Sequence, residues 1–114
     1  SSPETLASGA MSGAILENYA VSEIRKTYLN HGKEAFMYYY RDKDAKEIDL
    51  VLEQDGELHP IEIKKSANPA AEILRVFPVL DKSSLKRGKG AVICLKEDLS
   101  AFNKDNYIVP VWMI

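Results

Sequence analysis

EIDLVLEQDGELHPIEIK, residues 47–64, is the stretch that decides the fold. Two strand-like runs, 47–53 and 57–64, flank Asp55-Gly56, a dipeptide that strongly favours a two-residue hairpin turn. With Asp55 and Gly56 as the turn, Gln54 lies opposite Glu57, Asp49 opposite Glu62, and Glu47 opposite Lys64. Directly opposed residues share a face of the sheet, with Cβ atoms roughly 4.5–5.5 Å apart. Two opposed carboxylates repel, and aspartate is depleted in strands. A cation held between Asp49 and Glu62 removes that conflict. Ile48, Leu50, Leu52, Ile61 and Ile63 then make one apolar face. On the other, Glu47, Asp49, Glu62 and Lys64 alternate with Val51, Leu58 and Pro60, as suits the wall of a cleft beside a helix.

Towards the N-terminus, residues 13–30 follow a helical pattern, with Ala14, Val21, Ile24 and Tyr28 on one stripe. Glu17 sits in the middle of that stripe, where burying a lone carboxylate is costly unless something pairs with it. The plain alternative is that Glu17 escapes to solvent at a helix end or pairs with a lysine. Ile15 and Tyr19 form a second patch on the opposite side, which predicts cover by a partner or by more of the same protein. Ser8 and Ser12 are start signals, and Gly32, after Asn30-His31, is a stop. Residues 1–12 read as a tether or helix lead-in, and 13–114 as a single domain. Lacking an initiator methionine, the sequence is expected to be part of a longer chain.

Between helix and hairpin, 35–41 is an aromatic strand-like run and 42–46 a charged turn, so a three-strand meander is expected. Alternation sends Tyr39 away from Tyr38 and Tyr40, which favours strand filling over a base-stacking platform. Beyond the hairpin, Asn68-Pro69 matches an N-cap followed by proline at the first helical position. Ile73, Val76, Phe77 and Leu80 form a helical stripe, with Pro78 kinking or ending it. Residues 82–90 read as a basic loop, either merely exposed or contacting phosphate. Residues 91–95 read as a buried strand and 107–114 as a last strand, whose Pro110 prefers a sheet edge. Trp112 and Met113 read as terminal strand packing. A strand–helix–strand crossover after the meander implies a parallel, right-handed connection.

The chain has 114 residues and a net charge of −2, which excludes a surface coated for nucleic-acid binding and confines any basic footprint to a patch. Its single cysteine, Cys94, lies in the apolar run 91–95, so a disulfide framework is excluded and a buried thiol is expected. No apolar run approaches the ~20 residues of a membrane span, and residues 1–11 lack the basic-then-apolar pattern of a signal peptide. A cytoplasmic protein without membrane contact is expected. His31 and His59 are isolated and spaced unlike metal ligands.

Asp49, Glu62 and Lys64 can support one particular chemistry. Hard cations such as Mg²⁺ take carboxylate oxygens, often one or two from protein together with substrate phosphate. Glu62 and Lys64, two apart in a strand, point the same way. A lysine there can hold a phosphate oxygen or help deprotonate the attacking water. Glu17, from the preceding helix, can add a further acidic ligand.

This acid…(D/E)-x-K layout, carried by Asp49 and Glu62-Ile63-Lys64, resembles that of the PD-(D/E)XK nuclease superfamily. GAILENYAVSEI (13–24), YYYRDKDAKEIDLVLE (38–53) and ELHPIEIKKSANP (57–69) look like the uncharacterised domain at the C-terminus of bacterial and archaeal AAA-type ATPases. The resemblance is specific from about residue 13 to 68 and looser to 114. It implies an α/β fold with a restriction-endonuclease-like αβββαβ core, a mixed sheet whose three-strand antiparallel meander is flanked by helices. It also implies Asp49, Glu62 and Lys64 as the catalytic core, with Asp49, Glu62 and Glu17 around Mg²⁺ or Mn²⁺. Arg41, Glu47 and Ser66 lie beside that site without an assigned role. Expected partners are nucleic acid, DNA above RNA, an attached ATPase domain, and a second copy of the chain. Two departures stand out. Ile48 replaces the proline of the superfamily's name, and no G-x-x-x-x-G-K-[ST] loop occurs, so no ATP site is expected in these residues. The expected activity is Mg²⁺-dependent phosphodiester hydrolysis on DNA. The alternative is a non-catalytic module that docks nucleic acid or protein onto the ATPase.

Overall fold

The hairpin turn forms where its chemistry requires. In the computed structural model, which describes residues 11–34 and 36–114, strands β1 (Phe36–Arg41), β2 (Glu47–Gln54) and β3 (Glu57–Ile63) make an antiparallel meander. Asp55 and Gly56 both have positive φ, 54° and 77°, the type I′ geometry that matches the twist of the flanking strands. Pairing runs from Gln54↔Glu57 to Leu50↔Ile61, the register expected from the two-residue turn.

One feature of β2 departs from simple alternation. Tyr38 pairs with Val51 but Tyr40 with Ile48, so Asp49 and Leu50 together oppose the single residue Tyr39. This is a β-bulge, and a bulge re-aims side chains. Ile48 accordingly leaves the face expected for it and packs with Val51, Leu58 and Phe77, whereas Leu50 and Leu52 pack with Ile61 and Ile63 on the opposite side.

The sheet continues beyond the meander. Strand β4 (Lys86–Arg87) pairs with the start of β3, β5 (Gly90–Cys94) runs parallel to β3, and β7 (Asn106–Pro110) runs parallel to β5. Strand β6 (Ser100–Asn103) closes the far edge, giving the order β1-β2-β3-β5-β7-β6 with β4 off that path. The fold is therefore α/β, with a mixed sheet of seven strands among the described residues. Part of the basic loop is thus strand β4. Pro110 is not on an edge strand; it is the last residue of the interior strand β7, opposite Cys94, where the pairing with β6 has already ended. The chain after it forms a short 3-10 helix, Val111–Met113, rather than further strand.

Helix α1 (Gly13–Asn30) covers one face. Ser12 caps it, its Oγ accepting from the Ile15 N–H at 3.2 Å. Ser8 and the rest of 1–10, like Ala35, lie outside the described residues. At the other end Gly32, with φ 67°, lets the Gly32 and Lys33 N–H groups bond back to the Leu29 and Tyr28 carbonyls, a Schellman closure. The buried stripe, however, is centred on Leu16 and Ala20, flanked by Tyr19, Val21 and Ile24, not on Ala14. Ile15 is 56% exposed, while Tyr19 is packed against the core. Leu16 and Ala20 are one turn apart and small enough to bring α1 close to Leu50, Ile61, Ile63 and Ile93.

The other face is covered by a 3-10 helix, Ala71–Lys82, where an α-helix was expected to start at Asn68-Pro69. Its N-cap is Ala70, with no side-chain cap; the Asn68 N–H instead donates to Ser66 Oγ. Pro78 sits within it. Proline lacks the N–H that an α-helix interior would use, which favours the tighter, locally bonded form. Phe77, Val79 and Leu80 still reach the core with Ile48, Val51 and Leu58, and Cys94 is buried as a free thiol with Val92 and Ile108. Trp112 packs against the α1 side and Met113 is exposed.

The phase of α1 is testable by urea unfolding. Leu16→Ala should cost about 2–5 kcal/mol, as for a buried leucine, whereas Ile15→Ala should stay within about 0.5 kcal/mol. Equal losses would place the buried face elsewhere.

Candidate functional site

The backbone ladder between β2 and β3 ends one pair before the acids, and the acids take over its hydrogen bonds. The Asp49 N–H donates to Glu62 Oε1 at 3.2 Å. In return the Ile63 N–H donates to Asp49 Oδ2 at 2.9 Å. The two carboxyl groups lie close enough for the Asp49 charge to act on Glu62. The bulge explains the reach: two residues of β2 facing one of β1 turn Asp49 across the open end of the hairpin.

Glu62 is buried at 7% exposure, and it is the one charged residue buried to that degree among those described. Burial, then the Asp49 charge, raise its pKa from 4.5 to about 7, against the opposing pull of the Asp49 N–H and of Lys64. Glu17, half-buried on α1, is also raised, by burial and then by the charges of Asp49 and Glu47. The helix carboxylate therefore faces the same acidic corner, at the flank of the apolar stripe rather than at its centre.

Lys64 is exposed at the end of β3, but its backbone is held. The Lys64 N–H donates to the Ile93 carbonyl at 2.9 Å and the Leu95 N–H to the Ser66 carbonyl at 2.9 Å, so β5 pins the segment carrying the lysine. Lys65 donates to the Met11 carbonyl, which draws the start of α1 against the same corner. Glu47 does not pair with Lys64, as the extrapolated hairpin register had it; it pairs with Arg41 at 3.3 Å, across β1 and β2. That pair flanks the turn 42–46, and the meander reading held the clue to it. Ser66 turns away into the local loop, its Oγ accepting from Asn68 N–H.

The corner unites two hard oxygen ligands, Asp49 and Glu62, with a cation, Lys64. It does not unite three acids tightly: among the described residues, no group of three or more His, Cys, Asp or Glu is arranged to hold a metal ion. A donor set of two carboxylates suits Mg²⁺ or Mn²⁺, which complete their shell with water and substrate oxygens. It does not suit a closed, all-protein cage.

The basic segment lies elsewhere. Lys86 and Arg87 pair with Glu57 and Leu58, five strand positions from Glu62, or roughly 16 Å at about 3.3 Å per residue. Its cations have partners within the chain: Lys82 with Asp42 at 3.9 Å, Lys86 with Glu57 at 3.7 Å, Lys89 with Asp105 at 3.6 Å. Arg87 bonds to Asn106 and stacks over Phe77, 5.1 Å from the ring centre. The His59 ring nitrogen donates to the Lys89 carbonyl, and that of His31 donates to the Thr27 carbonyl at the end of α1. Tyr38 and Tyr39 are exposed rather than filling the core, with Tyr38 bonded to Glu53 and Tyr40 to Asp42. A cleft of about 370 Å³ lies between Tyr38, Tyr40, Val51 and Leu80, and another of about 390 Å³ between Tyr28, Gln54, His59 and Tyr107. The acidic corner lines neither.

Fold and site thus define an α/β domain whose distinguishing chemistry is a pair of neighbouring acids, one of them buried, beside a lysine. The chain belongs to the family described as a domain of unknown function (DUF4143), whose model matches residues 12–114. No curated protein and no solved structure matches it. No helix among the described residues is long and apolar enough to cross a membrane.

The acid pair makes stability fall with pH. Because the folded pKa of Glu62, about 7, exceeds its unfolded value near 4.5, the folded state binds more protons in that window. The contribution is complete below about pH 4.5 and is lost as pH rises through 7, on the order of 3 kcal/mol in all. In metal-free buffer, Glu62→Gln should therefore gain stability relative to wild type between pH 5 and 8, read by urea unfolding. A constant difference across that range would contradict the raised pKa of Glu62.

Proposed function

We propose that this domain is a metal-dependent phosphodiesterase of the PD-(D/E)XK type, acting on DNA, with a restriction-endonuclease-like core serving an attached AAA-type ATPase. The observation that carries the reading is the meeting of the Asp49 and Glu62 carboxyls beside Lys64. Two acids this close repel when both are ionised, and Mg²⁺ or Mn²⁺ between them would relieve that repulsion. Asp49 and Glu62 would hold the ion, and Glu17 would support it from α1. When bound, such an ion supplies Lewis-acid stabilisation of charge on phosphate and a lowered pKa for water.

The remaining steps belong to the chain. Lys64, solvent-facing but with its backbone held by β5, grips a non-bridging phosphate oxygen or orients the attacking water by donating to it. Glu62 must give up its proton for the ion to enter, which links binding to pH near 7. The open corner admits a polymer, which an enclosed pocket would exclude. One observation favours a second reading, a non-catalytic module that docks nucleic acid or protein: Ile15 stands 56% exposed on α1, beyond what the fold uses.

With Mn²⁺ or Mg²⁺ added, the domain should nick or degrade plasmid or linear DNA, and Lys64→Ala should abolish this, by about 10²-fold or more. Isothermal titration should show Mn²⁺ binding that weakens at least tenfold in Glu62→Gln and strengthens as pH rises through 7. Metal-supplemented protein that cuts neither DNA nor RNA would sink the hydrolase reading. If Ile15→Asp then disrupts association seen by light scattering, the docking reading would stand in its place.

A further inference from the structure

Arg41 is the cation that the acidic corner keeps at its rim. Met37 packs on the α1 side of the sheet, and strand alternation puts Tyr39 and Arg41 on that same side. Arg41 meets Glu47 at 3.3 Å, with the two side chains 62% and 44% exposed. The charges of Glu47 and Arg41 both act on the Tyr39 hydroxyl. Glu47 is in turn close enough to Glu17 for its charge to act there, and Glu17 senses Asp49 likewise. Arg41 and Glu47 thus stand at the rim of the corner whose acids, Glu17, Asp49 and Glu62, sense one another's charge.

That corner creates a problem for a polyanion. Glu17, Glu47, Asp49 and Glu62 repel phosphate, and Lys64 is a single point charge. A guanidinium offers a planar fork that binds phosphate through two parallel N–H···O bonds. The ion pair that now occupies Arg41 is exposed, a class that contributes little to stability, so phosphate can displace Glu47 at small cost. The basic segment 82–90 is a poor substitute, because Lys86 and Arg87 pair with β3 five positions from Glu62, roughly 16 Å away.

We propose that Arg41 binds a backbone phosphate of the nucleic acid next to the one at the acidic corner, and that Glu47 holds its guanidinium in place until then. The proposal rests on the hydrolase reading and deepens it, assigning the residue that draws a polyanion to an acidic site.

Fluorescence anisotropy with labelled duplex and single-stranded DNA, without added Mg²⁺ or Mn²⁺, tests it. Arg41→Ala should weaken binding about tenfold and lower the slope of log affinity against log salt by about one, while Arg41→Lys retains the slope. Glu47→Gln, which breaks the ion pair but leaves the arginine, should bind as tightly as wild type or more so. Mn²⁺ affinity and thermal stability should be unchanged in Arg41→Ala, which separates this role from the metal site. Wild-type affinity and slope in Arg41→Ala would overturn the assignment alone. Equal losses in Arg41→Ala and Glu47→Gln would show that the pair is structural and overturn it too. Absence of any nucleic-acid binding by wild type would overturn the hydrolase reading and this assignment together.

Discussion

Two carboxyl groups that take over the hydrogen bonds of a β-ladder are the constraint on which the rest of this structure depends. The Asp49 N–H donates to Glu62 and the Ile63 N–H donates to Asp49, so each acid satisfies a backbone donor of the opposite strand. Such an exchange works only where the strands stop pairing through their main chains. The bulge at Asp49 and Leu50 makes that possible by breaking alternation in β2 just before the ladder ends. The same bulge sends Ile48 to the 3-10 side and Leu50 to the α1 side, so core packing on both faces depends on it.

Charge is segregated along the sheet. The acids gather where β2 and β3 end, under α1, and the basic segment gathers at the start of β3, where each cation meets a partner. The segregation has an energetic cost at the acidic end, where a buried carboxyl beside a second one is held protonated into the neutral range. Stability alone would not maintain such a pair, since Glu62 and Asp49 could be replaced by residues that close the ladder normally. A local conflict of this kind, against an otherwise consistent fold, is what a functional site imposes on its scaffold.

Parallel strand β5 has a positional role in this arrangement. It lies beside β3, and through Ile93 and Leu95 it fixes the backbone from Lys64 to Ser66. Lys64 therefore projects into solvent from a backbone held by hydrogen bonds to β5. Lys65 binds the Met11 carbonyl, which places the beginning of α1 beside the same segment. The corner is assembled from four separate parts of the chain: the α1 helix, β2, β3 and the turn that follows β3.

Local chemistry was legible in the residues themselves. Asp55-Gly56 determined a type I′ turn and with it the register of β2 and β3, because few dipeptides take positive φ twice in succession. Ser12 and Gly32 likewise marked the ends of α1, and the spacing of Glu62 and Lys64 marked the candidate site. What the tertiary structure alone decided depends on contacts distant in sequence. The bulge exists because β1 pairs with β2 at Tyr38 and Tyr40 in shifted registers, and neither strand encodes that shift by itself. The buried phase of α1 moved to Leu16 and Ala20 because the sheet beneath needed small and apolar contacts there, whereas Glu17 was left at the flank facing the acids. Pro110 entered an interior strand because its place at the end of β7 leaves no ladder donor missing. Turn and cap preferences act within a few residues, so the sequence determines them directly; bulge, helix phase and the pairing of Glu47 with Arg41 follow from which surfaces meet.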